Sequence, residues 1–299
     1  MSTEKVGNWG RWGADDERGT LNLLDPATVL GAVGACRTGK VYPLGLPQQR
    51  YGVPVYPYRG APQRLTLTSQ TDEGMNAAYG CAPGVGANED VLVLPSHSVT
   101  HMDALCHVFA DGTIYNGFPV DGFRSHDGAT RCGIEKVRGF AGRAVLLDLC
   151  AHFGVDWLPG GQVITSADLE ACRSAQGVEM RTGDILLVRT GFVDHFLADQ
   201  HAAESGGQAG LGFDAVEFVR SHDLAAVGAD NGAIESIPFD RNVFLGVHIE
   251  LLVKMGVPLL EHLKLSELAA DRCYTSLLVV APLLVTGATG SPINPIAIG

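Results

Sequence analysis

Short apolar runs recur along the chain from residue 91 onward, and polar or turn-forming residues separate them. Each run is bounded by Gly, Pro or Asp, a pattern typical of strands that are buried on both faces. These runs predict strands at residues 91–95, 143–149, 184–190, 224–229 and 276–285.

Helices are predicted between the later strands, at residues 165–177, 214–222 and 265–273. In the first of them, Thr165 and Asp168 have the spacing of a capping box, and Gly177 stands where a helix would end. Ser266 is expected to cap the third helix. Because strands alternate with helices, the sequence predicts a mixed α/β domain.

The first 90 residues have a different character. They are rich in Gly, Pro and Tyr and contain few long periodic runs. This composition predicts a loop-rich N-terminal arm, residues 1–90, that packs on the core or on a neighbouring subunit. Residues 91–299 are expected to form the domain itself, since no clean linker marks a second one.

Composition narrows the class of protein. Apolar residues make up 46% and charged residues 18%, as in ordinary globular chains. The net charge is −12 without any basic block, so a nucleic-acid partner is not expected. No secretory signal is expected, because the N-terminal MSTEKVGNWG contains no apolar run. No membrane span is expected either, because the longest apolar run, residues 277–285, is too short. Seven scattered cysteines without a Cys-x-x-Cys pair predict reduced thiols and a cytoplasmic location.

The stretch SHSVTHMDALCH places His97, His101, Asp103 and His107 within eleven positions. On a straight strand all four would share a face, but His97 and His101 would lie about 13 Å apart, too far for one ion. On a helix these two histidines would meet, but Asp103 would point away. The sequence therefore predicts a strand that ends near Pro95, followed by a bent stretch that gathers His97, His101 and Asp103 around one point, with His107 on a different local structure.

The donor types indicate a metal ion. Two neutral imidazoles and a carboxylate suit divalent Zn, Mn or Fe, and three protein ligands with an open position are typical of catalytic sites. A second polar patch follows at His248 and Glu261, which flank an apolar segment. Taken alone this patch is a weak signal, since Glu261 could equally be a solvated residue at the start of a helix.

The cluster also carries a resemblance. HSVTHMDALCH resembles the His-x-Gly-Thr-His-x-Asp-x-Pro-x-His signature of the metal-dependent cyclase family, which includes bacterial kynurenine formamidase, isatin hydrolase and a trans-dienelactone hydrolase. The resemblance covers most of the chain and matches the longer branch of the family. Further stretches carry it, namely WGADDERGTLNLL (12–24), DGTIYNG (111–117), GDILLVRTG (183–191), VGADNGAIESIP (227–238), HIELLVKMGVPLLEHL (248–263) and GATGSPINPIAI (287–298).

The resemblance implies a swivelling β/β/α domain with a mixed sheet. It implies that His97, His101 and Asp103 bind a first divalent metal, Zn or Mn. It further implies that His248 and Glu261 complete a second metal site, with Asp103 bridging, so that each chain would hold one or two ions. A homodimer or homotetramer is expected on the same basis.

Roles in catalysis also follow from the resemblance. His107 matches the histidine that shuttles protons, and Glu261 is expected to take part in catalysis besides binding metal. Two positions depart from the motif, because Val99 replaces the usual Gly and Leu105 the usual Pro. Neither is a ligand position, so both departures concern the bend and the shape of the pocket.

Other residues are candidates for contact with a small-molecule substrate. Trp12 could cover a flat substrate, with Trp9 nearby, although both could equally be packing aromatics. Ser291 and Asn294 lie in a Gly/Ser/Pro-rich loop, where turn formation is an equal alternative. Glu235 and the ADN stretch at residues 229–231 could shape the cavity or cap local backbone. Cys106 is not expected to be a nucleophile, because a metal mechanism needs no thiol.

The expected function is a metal-dependent hydrolase. It would cleave the C–N or C–O bond of a small aryl-formamide, cyclic amide or lactone through a metal-bound hydroxide. One alternative is a non-haem Fe(II) oxygenase that uses His101, Asp103 and His248, but it leaves His97 and Glu261 unexplained. The other is a non-catalytic protein that binds a metal or ligand.

Overall fold

The computed structural model describes residues 7–299. Within them, the strands in chain order are β1 (Val41–Pro43), β2 (Gln63–Thr68), β3 (Glu89–Val93), β4 (His101–Asp103), β5 (Phe123–Arg124), β6 (Gly128–Ala129), β7 (Phe140–Asp148), β8 (Val163–Ile164), β9 (Ile185–Arg189), β10 (Gly210–Leu211), β11 (Ala226–Ala229), β12 (Leu259–Glu261), β13 (Thr275–Val280), β14 (Gly290–Pro292) and β15 (Ile296–Ile298).

The helices are α1 (Pro26–Val33), α2 (Glu73–Ala78), α3 (Leu149–Phe153), α4 (Ser166–Gln176), α5 (Phe192–Ala198), α6 (Gln200–Ser205), α7 (Ala215–Ser221), α8 (Gly246–His248) and α9 (Ser266–Ala270). Helix α8 continues directly into a π-helical segment, Ile249–Met255. Short 3₁₀ turns lie at Gly19–Leu23, Gln70–Asp72, Tyr115–Gly117, Val120–Gly122, Ile134–Lys136 and Asp240–Asn242. No helix within residues 7–299 is both long enough and apolar enough to cross a bilayer.

One large mixed sheet organises the protein, with the strand order β1-β15-β13-β7-β9-β11-β12-β4-β14. Strands β7, β9, β11 and β12 are parallel, and antiparallel strands flank them on both sides. Strands β7, β9 and β11 confirm three of the apolar runs, and the residues of β11 are all buried. The predicted α/β fold with a mixed sheet is therefore confirmed.

The large sheet is strongly curled. Strands β14 and β15 stand near opposite ends of the strand order, yet only residues 293–295 separate them along the chain. Three residues span at most about 10 Å. The two ends of the sheet must therefore approach each other, which brings the short strands β4 and β14 close to the remainder of the fold.

Two of the predicted strands need correction. The run at 91–95 was expected to be buried, but β3 ends at Val93, is exposed throughout and, within residues 7–299, pairs only with β2. The run at 276–285 leaves the sheet at Val280, just before Pro282, and Leu283 is 57% exposed. Proline cannot donate to a strand ladder, which explains this early end. An apolar run identifies a strand, but neighbouring elements decide whether it is buried.

The predicted helices are confirmed, with one difference at a cap. Thr165 and Asp168 form the expected capping box before α4, and Gly177 ends this helix in a left-handed conformation. In α9, by contrast, Ser266 is the first helical residue, and Leu265 occupies the cap position without a side-chain bond. A serine at the start of a helix can thus lie one residue inside the helix that it was expected to cap.

The N-terminal part of the chain contributes to the core as well as to loops. Strand β1 forms the edge of the large sheet next to β15, and the Trp9 indole donates a 2.7 Å hydrogen bond to the carbonyl of Val253. Trp9 therefore anchors this segment to the π-helical turn. The division into residues 1–90 and 91–299 stays a prediction, as does packing of the arm on a neighbouring subunit.

Candidate metal and active site

The bend that the histidine cluster requires lies at Val99. This residue has φ +50°, a left-handed conformation that is rare for a β-branched side chain. Strand β4 begins two residues later, so His101 and Asp103 project from the same face of a strand while Met102 enters the core. The predicted bend is thus real, but only His97 lies before it, and the other two side chains follow on a regular strand.

Strand pairing brings Glu261 to this group. His101 is the register partner of Glu261 on the neighbouring strand β12, and its Nε2 atom lies 3.1 Å from Oε2 of Glu261. His248, at the end of α8, approaches from above the sheet, with Nε2 at 3.3 Å from Glu261 Oε1 and 3.7 Å from Asp103 Oδ2. Glu261 is 2% exposed, so the alternative of a solvated helix-start residue is excluded.

His97 and His107 complete the cluster on its other side. His97 Nδ1 lies 2.7 Å from Asp103 Oδ1, and its Nε2 lies 3.0 Å from Thr289 Oγ1. The His107 ring stacks on the His97 ring with centroids 3.8 Å apart. Potential ligand atoms thus form two groups, His97–Asp103–His107 and Asp103–His248–Glu261, which share Asp103.

The residues present fit a divalent cation. Among the residues described, His101 Nε2, Asp103 Oδ2 and Glu261 Oε1 are buried without a hydrogen-bond partner. Leaving such atoms unpaired in the protein interior is costly, whereas an ion between them would satisfy all three. The mixed nitrogen and oxygen donors suit a first-row divalent metal such as Zn or Mn.

Both carboxylates are ionised at neutral pH. Burial opposes ionisation of Asp103, but His107 and His97 hold the pKa of its carboxyl well below its usual range. Burial and Asp103 likewise oppose ionisation of Glu261, yet the adjacent imidazoles of His101 and His248 lower its pKa to about 2. The cluster therefore offers two buried negative charges, which a divalent ion would balance.

Glu235 orients His248. Its carboxylate lies 2.5 Å from His248 Nδ1 and also accepts the backbone N–H groups of Val247 and His248 at the start of α8. This arrangement leaves Nε2 facing the cluster, as in carboxylate–histidine–metal triads. Although burial opposes the charged ring, Glu235 and Glu261 raise the pKa of His248 to about 10. Glu235 thus both caps the backbone at α8 and orients His248. In the sequence, its position soon after strand β11 was the feature that marked it as a candidate.

His262 is a further residue that the sequence analysis missed. Its Nδ1 and that of His101 both point to the carbonyl of Val99, at 3.1 and 2.8 Å. Burial and the nearby His101 lower the pKa of His262 to about 4, so its ring is neutral at pH 7. The only signal in the sequence was its position next to Glu261. Thr289 was also missed by the sequence analysis. It lies just before β14, and only the pairing of β14 with β4 brings it next to His97.

His107 faces a cavity of about 350 Å³, whose walls include Phe109, Ile114, Phe123 and Thr289. Burial lowers the pKa of His107 to about 3, so its imidazole is neutral at pH 7. Cys106 lines the same cavity, but burial raises the pKa of its thiol to about 12. A thiol of this kind is a poor nucleophile, as the sequence analysis expected.

The three candidates for substrate contact lie apart from the cluster. Ser291 is the register partner of Met102, so its side chain is on the opposite face of the sheet from Asp103. Its hydroxyl bonds Leu283 N–H and the Pro292 carbonyl.

The other two candidates have structural surroundings of their own. Asn294 is exposed and lies against Gly45, and Trp12 packs under the Arg11 guanidinium at 4.5 Å. Within residues 7–299, none of the three lines either of the cavities beside the cluster. Their contact with substrate stays a prediction. In the ADN stretch, Asp230 binds Thr190 and Gly191 N–H groups and so caps backbone.

Comparison with known proteins assigns the chain to a family. The family model "Putative cyclase" matches residues 43–236, more than half of the sequence. The chain belongs to the cyclase family. The match includes His97 to His107, whereas His248 and Glu261 lie beyond it. The crystal structure of a novel cyclase supports the same assignment, with 35% identity, a TM-score of 0.89 and coverage of 99% of this chain and 100% of that one.

More distant solved structures share the fold. Isatin hydrolase A from Labrenzia aggregata, solved with benzyl benzoate, is 18% identical over 88% of this cyclase-family chain and 94% of its own, with a TM-score of 0.63. A "predicted metal-dependent hydrolase" from Bacillus stearothermophilus is 21% identical over 86% and 97%, with a TM-score of 0.53. At these identities the likeness concerns the fold alone. No curated protein matches the chain.

The Glu235–His248 contact predicts how ion affinity depends on a residue that does not touch the ion. Glu235→Gln weakens the hydrogen bond to His248 Nδ1, and we expect divalent-ion affinity to fall roughly 10-fold to 100-fold. Chelator competition measures this affinity. Glu250→Gln is the matched control, because Glu250 pairs with Lys254 on the next helical turn. Equal affinities in both variants would contradict a supporting role for Glu235.

Ion binding is also expected to depend on pH. Because the pKa of His248 is raised to about 10, its ring carries a proton at neutral pH that the ion must displace. Affinity should therefore increase as pH rises from 6 to 8, by about tenfold per unit for each proton released. Calorimetry in two buffers of different ionisation enthalpy counts those protons. Binding without proton release would show that His248 is not a ligand.

Proposed function

We propose that this cyclase-family protein is a metal-dependent hydrolase that cleaves the C–N or C–O bond of a small aryl-formamide, cyclic amide or lactone. The observation that carries the proposal is the buried carboxylate of Asp103, which two groups of potential ligands share. Beside it, the neutral His107 faces an open cavity. Ligands with unsatisfied atoms next to a proton acceptor form the arrangement that hydrolysis of a carbonyl compound needs.

Ligand roles are proposed residue by residue. One ion would lie among His97, His101 and Asp103, where His101 Nε2 is 3.5 Å from Asp103 Oδ1. His107, which also lies in a group of potential ligands with His97 and Asp103, would act as the proton acceptor instead. A second ion would lie among Asp103, His248 and Glu261. We propose Zn or Mn, because imidazole and carboxylate donors accept both. When bound, a divalent ion polarises a carbonyl oxygen and lowers the pKa of a water molecule towards 7.

Side chains of the protein would transfer the protons. Hydrolysis adds the water oxygen to the carbonyl carbon and delivers a proton to the departing nitrogen or oxygen. The His107 ring stacks on His97 and lines the cavity, and in this position it would accept a proton from the attacking water and return it to the leaving atom. The two carboxylate oxygens of Glu261 lie beside Nε2 of His101 and Nε2 of His248, so Glu261 would help to position both rings.

The oxygenase alternative receives no support from the geometry. A facial triad of His101, Asp103 and His248 would leave His97 and Glu261 without a role. The structure places both within hydrogen-bond distance of triad members, at 2.7 Å from Asp103 and 3.1 Å from His101. All five side chains therefore form one cluster, and a hydrolytic site accounts for every one of them.

Elemental analysis and activity on the same samples test the proposed function. We expect near-stoichiometric Zn or Mn in the wild-type protein and hydrolysis of some members of a panel of aryl-formamides, lactams and lactones. His101→Ala should lose both the ion and the activity, because its Nε2 is an unsatisfied atom of the cluster. His152→Ala, a half-buried histidine elsewhere in the chain, serves as the control. Stoichiometric iron, or an ion without hydrolysis of any panel member, would count against the proposal.

We also propose that the protein is a homodimer or homotetramer. The hairpin-like pair β2–β3 has a mainly polar face, which carries an Arg64–Asp90 ion pair and the 59% exposed Leu92. Its other face is apolar and 39% to 60% exposed, through Leu65, Leu67, Val91 and Val93. A two-stranded sheet is marginally stable alone. A second copy of the chain that covers this face would stabilise it.

The oligomer is tested on the two faces of that hairpin. Leu65→Lys places a charge on the apolar face opposite Val91, and we expect a shift towards monomer in multi-angle light scattering. Thr66→Lys, on the polar face, should leave the mass unchanged. An unaltered mass in the Leu65 variant, or a monomeric wild-type protein, would argue against the hairpin as an interface.

A further inference from the structure

Two motifs of the sequence, WGADDERGTLNLL and DGTIYNG, contribute no residue to the cluster, yet the structure brings them together. The Tyr115 hydroxyl donates to the Asp16 carboxylate at 2.9 Å, and the Asn116 amide donates to the carbonyl of Gly13 at 3.0 Å. These contacts fix part of the N-terminal arm, residues 8–20, which we name the N-terminal clamp.

The clamp contacts the end of the segment that follows His248. Three consecutive carbonyls there accept hydrogen bonds from it, namely those of Val253, Lys254 and Met255. Their donors are the Trp9 indole, the Asn8 backbone N–H and the Asn8 side-chain amide, at 2.7, 3.0 and 2.8 Å. The last carbonyls of a helix lack donors within it, so the clamp supplies bonds that this segment needs.

The sequence explains why this segment depends on outside donors. Pro258 has no N–H, so it cannot bond the carbonyl of Lys254 four residues earlier or that of Val253 five residues earlier. The N–H of Val257, which could also reach Val253, binds the carbonyl of Leu251 instead at 2.8 Å. The carbonyls at the end of the π-helical segment are therefore left for the clamp.

Gly256 joins the segment to the clamp by close packing. It has φ +67°, and its carbonyl accepts the N–H and the hydroxyl of Thr20 at 2.9 and 3.1 Å. A Cβ atom built on Gly256 would lie 2.4 Å from the Tyr115 ring, and one built on Gly19 would lie 2.0 Å from the Gly256 carbonyl oxygen. Any side chain at either glycine would force the clamp and the segment apart.

The segment is thus fixed at both ends. At its start, Glu235 accepts the backbone N–H groups of Val247 and His248 and lies beside His248 Nδ1. At its end, the clamp binds the last carbonyls and Gly256. Between them lies the π-helical turn Ile249–Met255, a rare geometry that is frequent at functional sites. Because a π-helical turn is wider than an α-helical one, a change to α-helical geometry would rotate His248 relative to the fixed end.

We propose that the N-terminal clamp positions His248 for the metal centre. By binding the carbonyls at the end of the π-helical segment, the clamp preserves the π-helical turn and so directs His248 Nε2 towards Asp103 and Glu261. This role rests on the proposed metal-dependent function and deepens it. Trp9 and Asn8 are positioning residues, since they act on the ion only through His248.

Amide hydrogen exchange of the metal-free, full-length protein tests the contact without any ion. Trp9→Phe keeps an aromatic ring but removes the indole N–H that binds Val253. We expect exchange across residues 246–257 to become roughly threefold to tenfold faster, as for the loss of one hydrogen bond. Arg11→Gln is the matched control, because it breaks the ion pair of the clamp with Asp223 and leaves the bonds to the segment. Exchange in Trp9→Phe no faster than in this control would overturn the proposal.

Cobalt binding tests whether His248 itself changes position. The visible absorption of bound Co(II) depends on its ligands and their geometry, and the bands that disappear in His248→Ala identify the ion bound by this histidine. In Trp9→Phe we expect those bands to shift and the affinity for this ion to fall roughly 10-fold to 100-fold, as for other groups that support a metal ligand. Arg11→Gln should keep the wild-type bands. A general loss of stability would lower the amount of folded protein but leave the bands in place.

The outcomes separate the role of the clamp from the hydrolase function. Wild-type bands in Trp9→Phe would overturn the role of the clamp, whatever the protein hydrolyses. Shifted bands in a protein that hydrolyses no member of the substrate panel would count against the proposed function and support the clamp. A wild-type protein that binds no Co(II) would overturn both, because His248 would then have no ion to bind.

Discussion

Asp103 is 1% exposed, and its carboxylate lies within 3.7 Å of ring nitrogens from His97, His101 and His248. A buried carboxylate is tolerated only when opposite charge or hydrogen-bond donors surround it. The buried carboxylates of Asp103 and Glu261 have their neighbouring polar groups on four parts of the chain. These are strand β4, strand β12, helix α8 and the segment before the Val99 bend. Each of these elements contributes a side chain that would be unfavourable in the interior without the others.

The fold places these side chains by strand register. Strand β4 has only three residues, yet it pairs with β12 on one side and β14 on the other, so the core fixes its two polar side chains on one face. The Val99 turn then shares its carbonyl between His101 and His262. A β-branched residue with positive φ is strained, and such strain persists only where the surrounding packing holds it. Here Val99 is buried against Leu46, Val53 and Val193.

The cluster separates two cavities of different character. The cavity on the His107 side is lined by a neutral imidazole, whereas a second cavity has aromatic walls that include Tyr56, Phe192 and His262. The walls of both cavities can therefore differ between proteins without a change in the residues of the metal cluster. This arrangement would allow members of one family to share a metal centre and differ in the compounds that they accept.

The sequence by itself determined the local features. Apolar runs predicted β7, β9 and β11, the Thr165–Asp168 spacing predicted the cap of α4, and donor types together with the family motif identified six cluster residues. Apart from His248 and Glu261, which the family resemblance identified, these signals are local because each depends on backbone propensity or on neighbours a few positions apart. Only the tertiary structure decided that β3 is exposed, that Ser291 faces away from Asp103, and that Glu235, Thr289 and His262 surround the cluster. Those outcomes depend on strand register and on contacts between residues far apart in the chain, and no local pattern specifies which face of a curled sheet becomes buried.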